Sequence, residues 1–324
     1  MRALKLHSCL APKIRSFISL RQLSGTDYQS QAQLLGYFDR FLVEQKISEP
    51  RVTPKITESY QHTLSHLRPR VQSNRFCVVR QLCEYLSRTD PLGHVPEPLR
   101  RIPSQATHQP YIYSEAEVRA LLAAASGLAP PSTLRPQTYR TLLGLLYSTG
   151  IRIGEALALN LNDFYSAEGR LYIAQGKFHK ARWVPLSACT CQALHQYVDR
   201  RLQMTPRSLD SPLFLNQRCR RLHHCTVNQT FHRLLGQCKI PHNKHTGPRI
   251  HDLRHTFAVH RLLAWYRDGH DVNARLPWLA TYMGHVDIGS TQVYLHPTAE
   301  LLEQVGTRFR SHYLHSVKTQ GERS

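Results

Sequence analysis

Three short segments of the chain carry side chains suited to phosphate chemistry. The first is Ser148-Thr-Gly-Ile-Arg-Ile-Gly-Glu155. Arg152 follows a glycine turn, where backbone geometry can aim a guanidinium. Glu155 lies one helical turn on and can brace it; an ordinary surface ion pair is the plainer alternative. The second is His251-Asp-Leu-Arg-His-Thr-Phe-Ala258. His251 and Arg254 are three apart on a predicted helix and so project from one face. An imidazole and a planar fork on one face suit a single phosphate, with Arg giving two hydrogen bonds and His moving a proton. His255, next along, reads better as a structural histidine. The third is Met283-Gly-His285, followed by Ser290-Thr-Gln-Val-Tyr294. Gly284 allows a tight turn from which His285 can reach a phosphate. Tyr294 alone says little, since the chain has 15 tyrosines and most tyrosines pack.

Composition sets what these segments act on. The 324 residues suit two domains better than one. Lys plus Arg is 42 against 22 for Asp plus Glu, a formal net charge of +20. The surplus is shared, +8 over residues 1–110 and +12 over 111–324, so both halves can meet the same polyanion, most readily a nucleic acid. A basic surface that only aids solubility is the bland alternative. An apolar fraction of 41% excludes wholesale disorder, and the apolar runs fall far short of the ~20 residues that span a bilayer. The expectation is a soluble cytoplasmic protein with no membrane partner. Eight cysteines without a secretory signal read as reduced thiols. Cys219, His223, His224, Cys225, His232, Cys238, His242 and His245 are zinc-ligand types, but their spacing matches no standard pair-of-pairs pattern, and no metal site is assigned.

The elements that must position these side chains follow from spacing. Residues 1–26 hold no Asp or Glu and read as a basic N-terminal arm; a mitochondrial presequence is the alternative for such a composition. Residues 27–90 form a helical domain. One helix runs over Gln31–Gln45 with Leu34, Leu35, Phe38, Phe41 and Leu42 on one face, another from Pro54 to about Leu67, and a third over Ser73–Leu86. Residues 91–110, with five prolines, form a semi-rigid linker. Residues 111–324 form the second domain, opened by a capping box of Ser114 and Glu117. It contains a buried helix over 138–147, a β-hairpin from strands near 169–174 and 182–186 with a basic tip, and helices near 153–159, 187–202, 226–235, 251–265, 276–283, 290–295 and 298–312.

The order Arg…Lys…His-x-x-Arg…Gly-His…Tyr over about residues 111–312 resembles the tyrosine recombinase (phage integrase) family, and more loosely the type IB topoisomerases. Gly176-Lys177 at the hairpin start is similar to the family's strand-turn lysine, with Lys180 as the runner-up. The resemblance implies a mainly α fold with a small β-sheet: an N-terminal helical core-binding (SAM-like) domain and a mixed α/β catalytic domain of the DNA breaking-rejoining type, clamping a duplex between them. It implies catalytic roles for Arg152, Lys177, His251, Arg254, His285 and Tyr294, a 3′-phosphotyrosine intermediate, and no metal, ATP or other cofactor. It also implies double-stranded DNA as partner, a homotetramer in the synaptic complex, room for accessory recombination proteins, and a bacterial, nucleoid-associated setting as the recombinase of a mobile element. The alternatives are a type IB-like topoisomerase and a catalytically silent DNA-binding regulator. Leu302, Val305 and Phe309 form a stripe on the last predicted helix that packs either on its own domain or on a neighbouring subunit.

Overall fold

Four helices with inward-facing aromatic residues build the first part of the chain. The structure, a computed structural model, describes residues 4–25, 27–90, 92–99, 110–174, 181–204, 211–242 and 247–284. The chain divides into two compact units, Met1–His108 and Gln109–Ser324. In the first, α1 (Ala11–Leu23), α2 (Gln29–Glu44), α3 (Pro54–Thr63) and α4 (Pro69–Ser87) surround one core. α1, α3 and α4 each carry proline in the first turn, where its missing N–H costs nothing and its fixed φ favours helix. Phe38 and Phe41 of α2 meet Tyr60 of α3 at ring separations of 4.9 and 5.2 Å.

The arm expected over residues 1–26 is corrected by α1. Ala11, Ile14 and Phe17 are buried at helical spacing, and the segment ahead of them is tied down by the buried Asp39. That carboxylate accepts from the His7 and Ser8 backbone N–H groups at 2.8 and 3.1 Å and from the Ser8 hydroxyl at 2.5 Å. Within the proline-rich stretch, Val95 and Leu99 pack on the same core, and Arg80 Nε donates to the Pro96 carbonyl at 3.0 Å. At least this part of the expected linker lies against the first unit.

The second unit begins with α5 (Glu115–Ser126), held at its start by the reciprocal Ser114–Glu117 capping box. α6 (Arg135–Thr149) buries Leu142, Leu143, Leu145 and Leu146 and ends at Gly150. α7 (Ile153–Ala158) and a 3-10 turn lead into a three-stranded antiparallel sheet in the order β1 (Phe164–Tyr165), β2 (Arg170–Ile173), β3 (Arg182–Pro185). Leu171 and Ile173 pair with Val184 and Arg182, so these four share the core-facing side. Trp183 and Tyr172 pair on the other side. α8 (Ala188–Met204), α9 (His224–Gln237), α10 (Asp252–Arg267) and α11 (Val272–Met283) complete the described residues. α11 begins four residues before its expected start, capped by Asp271, whose side chain accepts from the Asn273 and Ala274 N–H groups. The two helices expected near 290–295 and 298–312, and the hairpin tip, lie outside the described residues. Among the described residues no helix is long and apolar enough to cross a membrane.

Candidate active site

The site is built where α6 ends, α10 begins and α11 ends. α6 stops because Gly150 takes a left-handed conformation, φ +62°, and its N–H returns to the Leu146 carbonyl at 2.9 Å. This turn delivers Arg152 to the start of α7. The Arg152 backbone N–H donates to Glu155 Oε2 at 2.9 Å, and its Nη1 donates to Glu155 Oε1 at 2.7 Å. Glu155 is therefore the brace that its spacing suggested.

α10 starts at a buried Asp252, which accepts from the Arg249 N–H at 2.9 Å and from Arg249 Nη2 at 3.2 Å. One turn in, Arg254 is 2% exposed. Its Nη1 donates to the Gly150 carbonyl at 2.6 Å and its Nη2 to the Met283 carbonyl at 2.7 Å. Arg152 Nη2 donates to the next carbonyl, Gly284, at 3.1 Å. The carbonyl before these, Tyr282, accepts from Arg182 Nε at 3.0 Å. Three guanidinium groups thus take three consecutive carbonyls at the C-terminal end of α11, where the helix dipole favours positive charge.

Arg182 was not among the expected site residues. Its signal was present in the strand phase: alternation places it inward with Val184, and an inward arginine needs a carboxylate. That carboxylate is Glu155, which takes Arg182 Nη1 on Oε1 at 3.1 Å and Nη2 on Oε2 at 2.8 Å. The side-chain exposures are 4% for Glu155, 12% for Arg182 and 23% for Arg152, so Arg152 is the most open of the three to an incoming anion.

Burial alone would raise the Glu155 pKa. The hydrogen bonds and charge of Arg182, with those from Arg152, overturn that effect and hold it at about 2. A depressed carboxylate stabilises the fold above its ordinary pKa of 4.5 and loses that contribution as pH falls toward 2. Glu155→Gln is expected to cost about 3 kcal/mol at pH 7. In urea unfolding the gap to wild type should narrow as pH drops below 4.5. A gap that stays constant with pH would mean the two arginines do not hold the carboxylate charged.

His251 sits at the α10 start, its ring 5.3 Å from that of His255. Loss of surrounding water, and then the Arg254 charge, lower the His251 pKa below the usual 6.5, so at neutral pH the imidazole is unprotonated and free to take a proton. Burial, then the His251 charge, push His255 down to about 4, which suits a structural histidine.

The structure therefore brings Arg152, Arg254 and His251 into one neighbourhood. Lys177, its runner-up Lys180, His285 and Tyr294 lie outside the described residues, which stop at Gly284, the position before His285. Of the cysteine–histidine cluster, Cys219 and Cys225 are exposed, and among the described residues no group of three or more ligand types could hold a metal ion.

The model of the phage integrase family matches residues 112–300, more than half of the chain. The chain belongs to the phage integrase family. Protein y4rB of Sinorhizobium fredii, a candidate integrase/recombinase, is 34% identical over 302 residues, covering 91% of this chain and 95% of that one. Tyrosine recombinase XerC of Bacillus subtilis is 29% identical over 267 residues, covering 81% and 80%. Among solved structures, the Tn1549 transposon integrase in complex with a circular intermediate DNA has a TM-score of 0.65 at 16% identity, covering 94% of this chain and 100% of that one. The XerH site-specific recombinase bound to its difH substrate has a TM-score of 0.63 at 21% identity, covering 86% and 79%. This phage integrase family member is a site-specific tyrosine recombinase, an enzyme of DNA recombination.

Proposed function

We propose that this recombinase cuts and rejoins duplex DNA through a 3′-phosphotyrosine on Tyr294, in the service of a mobile element. The observation that carries the reading is the convergence of Arg152 and Arg254 on the Met283 and Gly284 carbonyls, directly ahead in sequence of His285, which itself stands nine residues before Tyr294. The Tyr294 oxygen attacks phosphorus in line and the bond to the 5′-oxygen breaks. His251 assists removal of the tyrosine proton, and Lys177 returns a proton to the leaving 5′-oxygen. Arg152 and Arg254 hold the non-bridging oxygens as charge builds, and His285 adds a hydrogen bond. The covalent link keeps the bond energy for the rejoining step. The +20 charge supports duplex DNA as partner, as do the two solved proteins of similar fold, XerH and the Tn1549 integrase, which were both captured on DNA. The S. fredii relative supports a role in integration. Exchange between two duplexes calls for four subunits.

A nicked suicide duplex tests the chemistry. Its recognition sequence is first selected from a random-sequence library by binding to the Tyr294→Phe protein. Wild type is expected to form an adduct that survives denaturation, and proteolysis should leave the nucleotide on the peptide containing Tyr294. An adduct on another residue, or none at all, would sink the proposal. Relaxation of supercoiled plasmid without exchange between two sites would instead mark a topoisomerase.

A further inference from the structure

We propose that Arg182 is a positioning residue for DNA cleavage, setting Arg152 through Glu155 and fixing the end of α11 against β3. The inference rests on the reading that Arg152 serves the reacting phosphate.

The geometry gives Arg182 three tasks at once. Its two terminal nitrogens clasp both oxygens of Glu155, and its Nε holds the Tyr282 carbonyl. Glu155 Oε1 is shared, since it also accepts Arg152 Nη1. One carboxylate thus sits between two guanidinium groups and cannot fully neutralise either. With Arg182 in place, Arg152 keeps a net positive charge and a fixed plane. Without it, Glu155 would pair with Arg152 alone, and the charge offered to an anion would fall. The carboxylate would also lose the grip that fixes its rotation, and the Arg152 fork would turn with it.

Gly284 shows how closely this group is packed. Its φ is +68°, and a Cβ there would lie 2.9 Å from the Arg182 guanidinium carbon and Nη1. A side chain at residue 284 would push Arg182 off Glu155. Arg182 therefore links three parts of the chain: the strand that follows the Lys177 hairpin, the Arg152 turn, and the α11 end that leads to His285. Lysine cannot repeat this contact, because a single ammonium cannot span both carboxylate oxygens and the carbonyl in one plane.

The test compares Arg182→Gln and Arg182→Lys with wild type on two versions of the selected nicked duplex. One carries an ordinary scissile phosphodiester. The other carries a methylphosphonate there, which has no charge to neutralise. On the phosphodiester, Arg182→Gln should slow adduct formation about a hundredfold, the scale of losing a preorganised donor. On the methylphosphonate the same variant should fall less than fivefold behind wild type. Arg182→Lys should recover at least part of the rate on the phosphodiester, and it carries the comparison if the glutamine variant fails to fold. Equal losses on both substrates would reduce Arg182 to a scaffold residue and overturn the inference, as would no loss on either. No adduct from wild type would instead remove the proposed function, and this inference with it.

Discussion

Arg254→Ala is expected to slow formation of the covalent adduct by about a thousandfold while weakening binding of the same duplex less than threefold. The two numbers part because they count different things. Binding draws on a surplus of +20 charges spread along the chain, so one phosphate contact among many is a small share. Cleavage draws on charge placed before the reaction begins. Arg254 is 2% exposed and is already oriented by the Gly150 and Met283 carbonyls, so its direction needs no adjustment as the phosphorane forms. Alanine also leaves those two buried carbonyls without this partner, at roughly 1–3 kcal/mol each, so Arg254→Lys belongs beside it. Lysine keeps the charge but loses the fork, and should recover stability more fully than rate. Gel-shift titration and single-turnover cleavage on one duplex separate the effects. Parallel losses in binding and rate would make Arg254 a gripping residue.

The elements legible in the sequence were those whose signal is local. His251 and Arg254 declare a shared face by their spacing, and Ser114 with Glu117 declares a helix start. The α2 face from Leu35 to Leu42 follows from apolar periodicity. α1 was missed because the lack of acidic residues in 1–26 drew more weight than the spacing of Ala11, Ile14 and Phe17. Its anchor, Asp39, is some thirty residues away in sequence and gives no local cue. Arg182 was readable in principle, from the phase it shares with Val184. The three carbonyls at 282–284 were not. Every residue has a carbonyl, and which ones meet guanidinium groups depends on the packing of α6, α10 and α11 together. The chemistry of the site was thus visible as a set of side chains, while the device that aims them is made largely of backbone.

Gly150→Ala should destabilise the second unit by about 3 kcal/mol and lower its melting temperature by roughly 6–12 °C. Two costs combine. Alanine at φ +62° pays about 1 kcal/mol for the left-handed conformation. Its Cβ would also stand 2.4 Å from Phe257 Cδ1, a separation no packed carbon pair tolerates, so the ring must move. Phe257 is buried on α10, three residues after Arg254, and stacks on Tyr282 at 5.7 Å. Its displacement therefore presses on the Arg254 helix and on the α11 end. Because the Gly150 carbonyl itself holds Arg254, the cleavage rate should fall further than the loss of folded protein explains. Phe257→Leu tells the two costs apart. In the double variant the steric part is relieved and the backbone part remains, so its destabilisation should be smaller than the sum of the single ones. Strict additivity in calorimetry would show that the ring is not what the new methyl group strikes, and would leave the left-handed turn as the sole reason for glycine at this position.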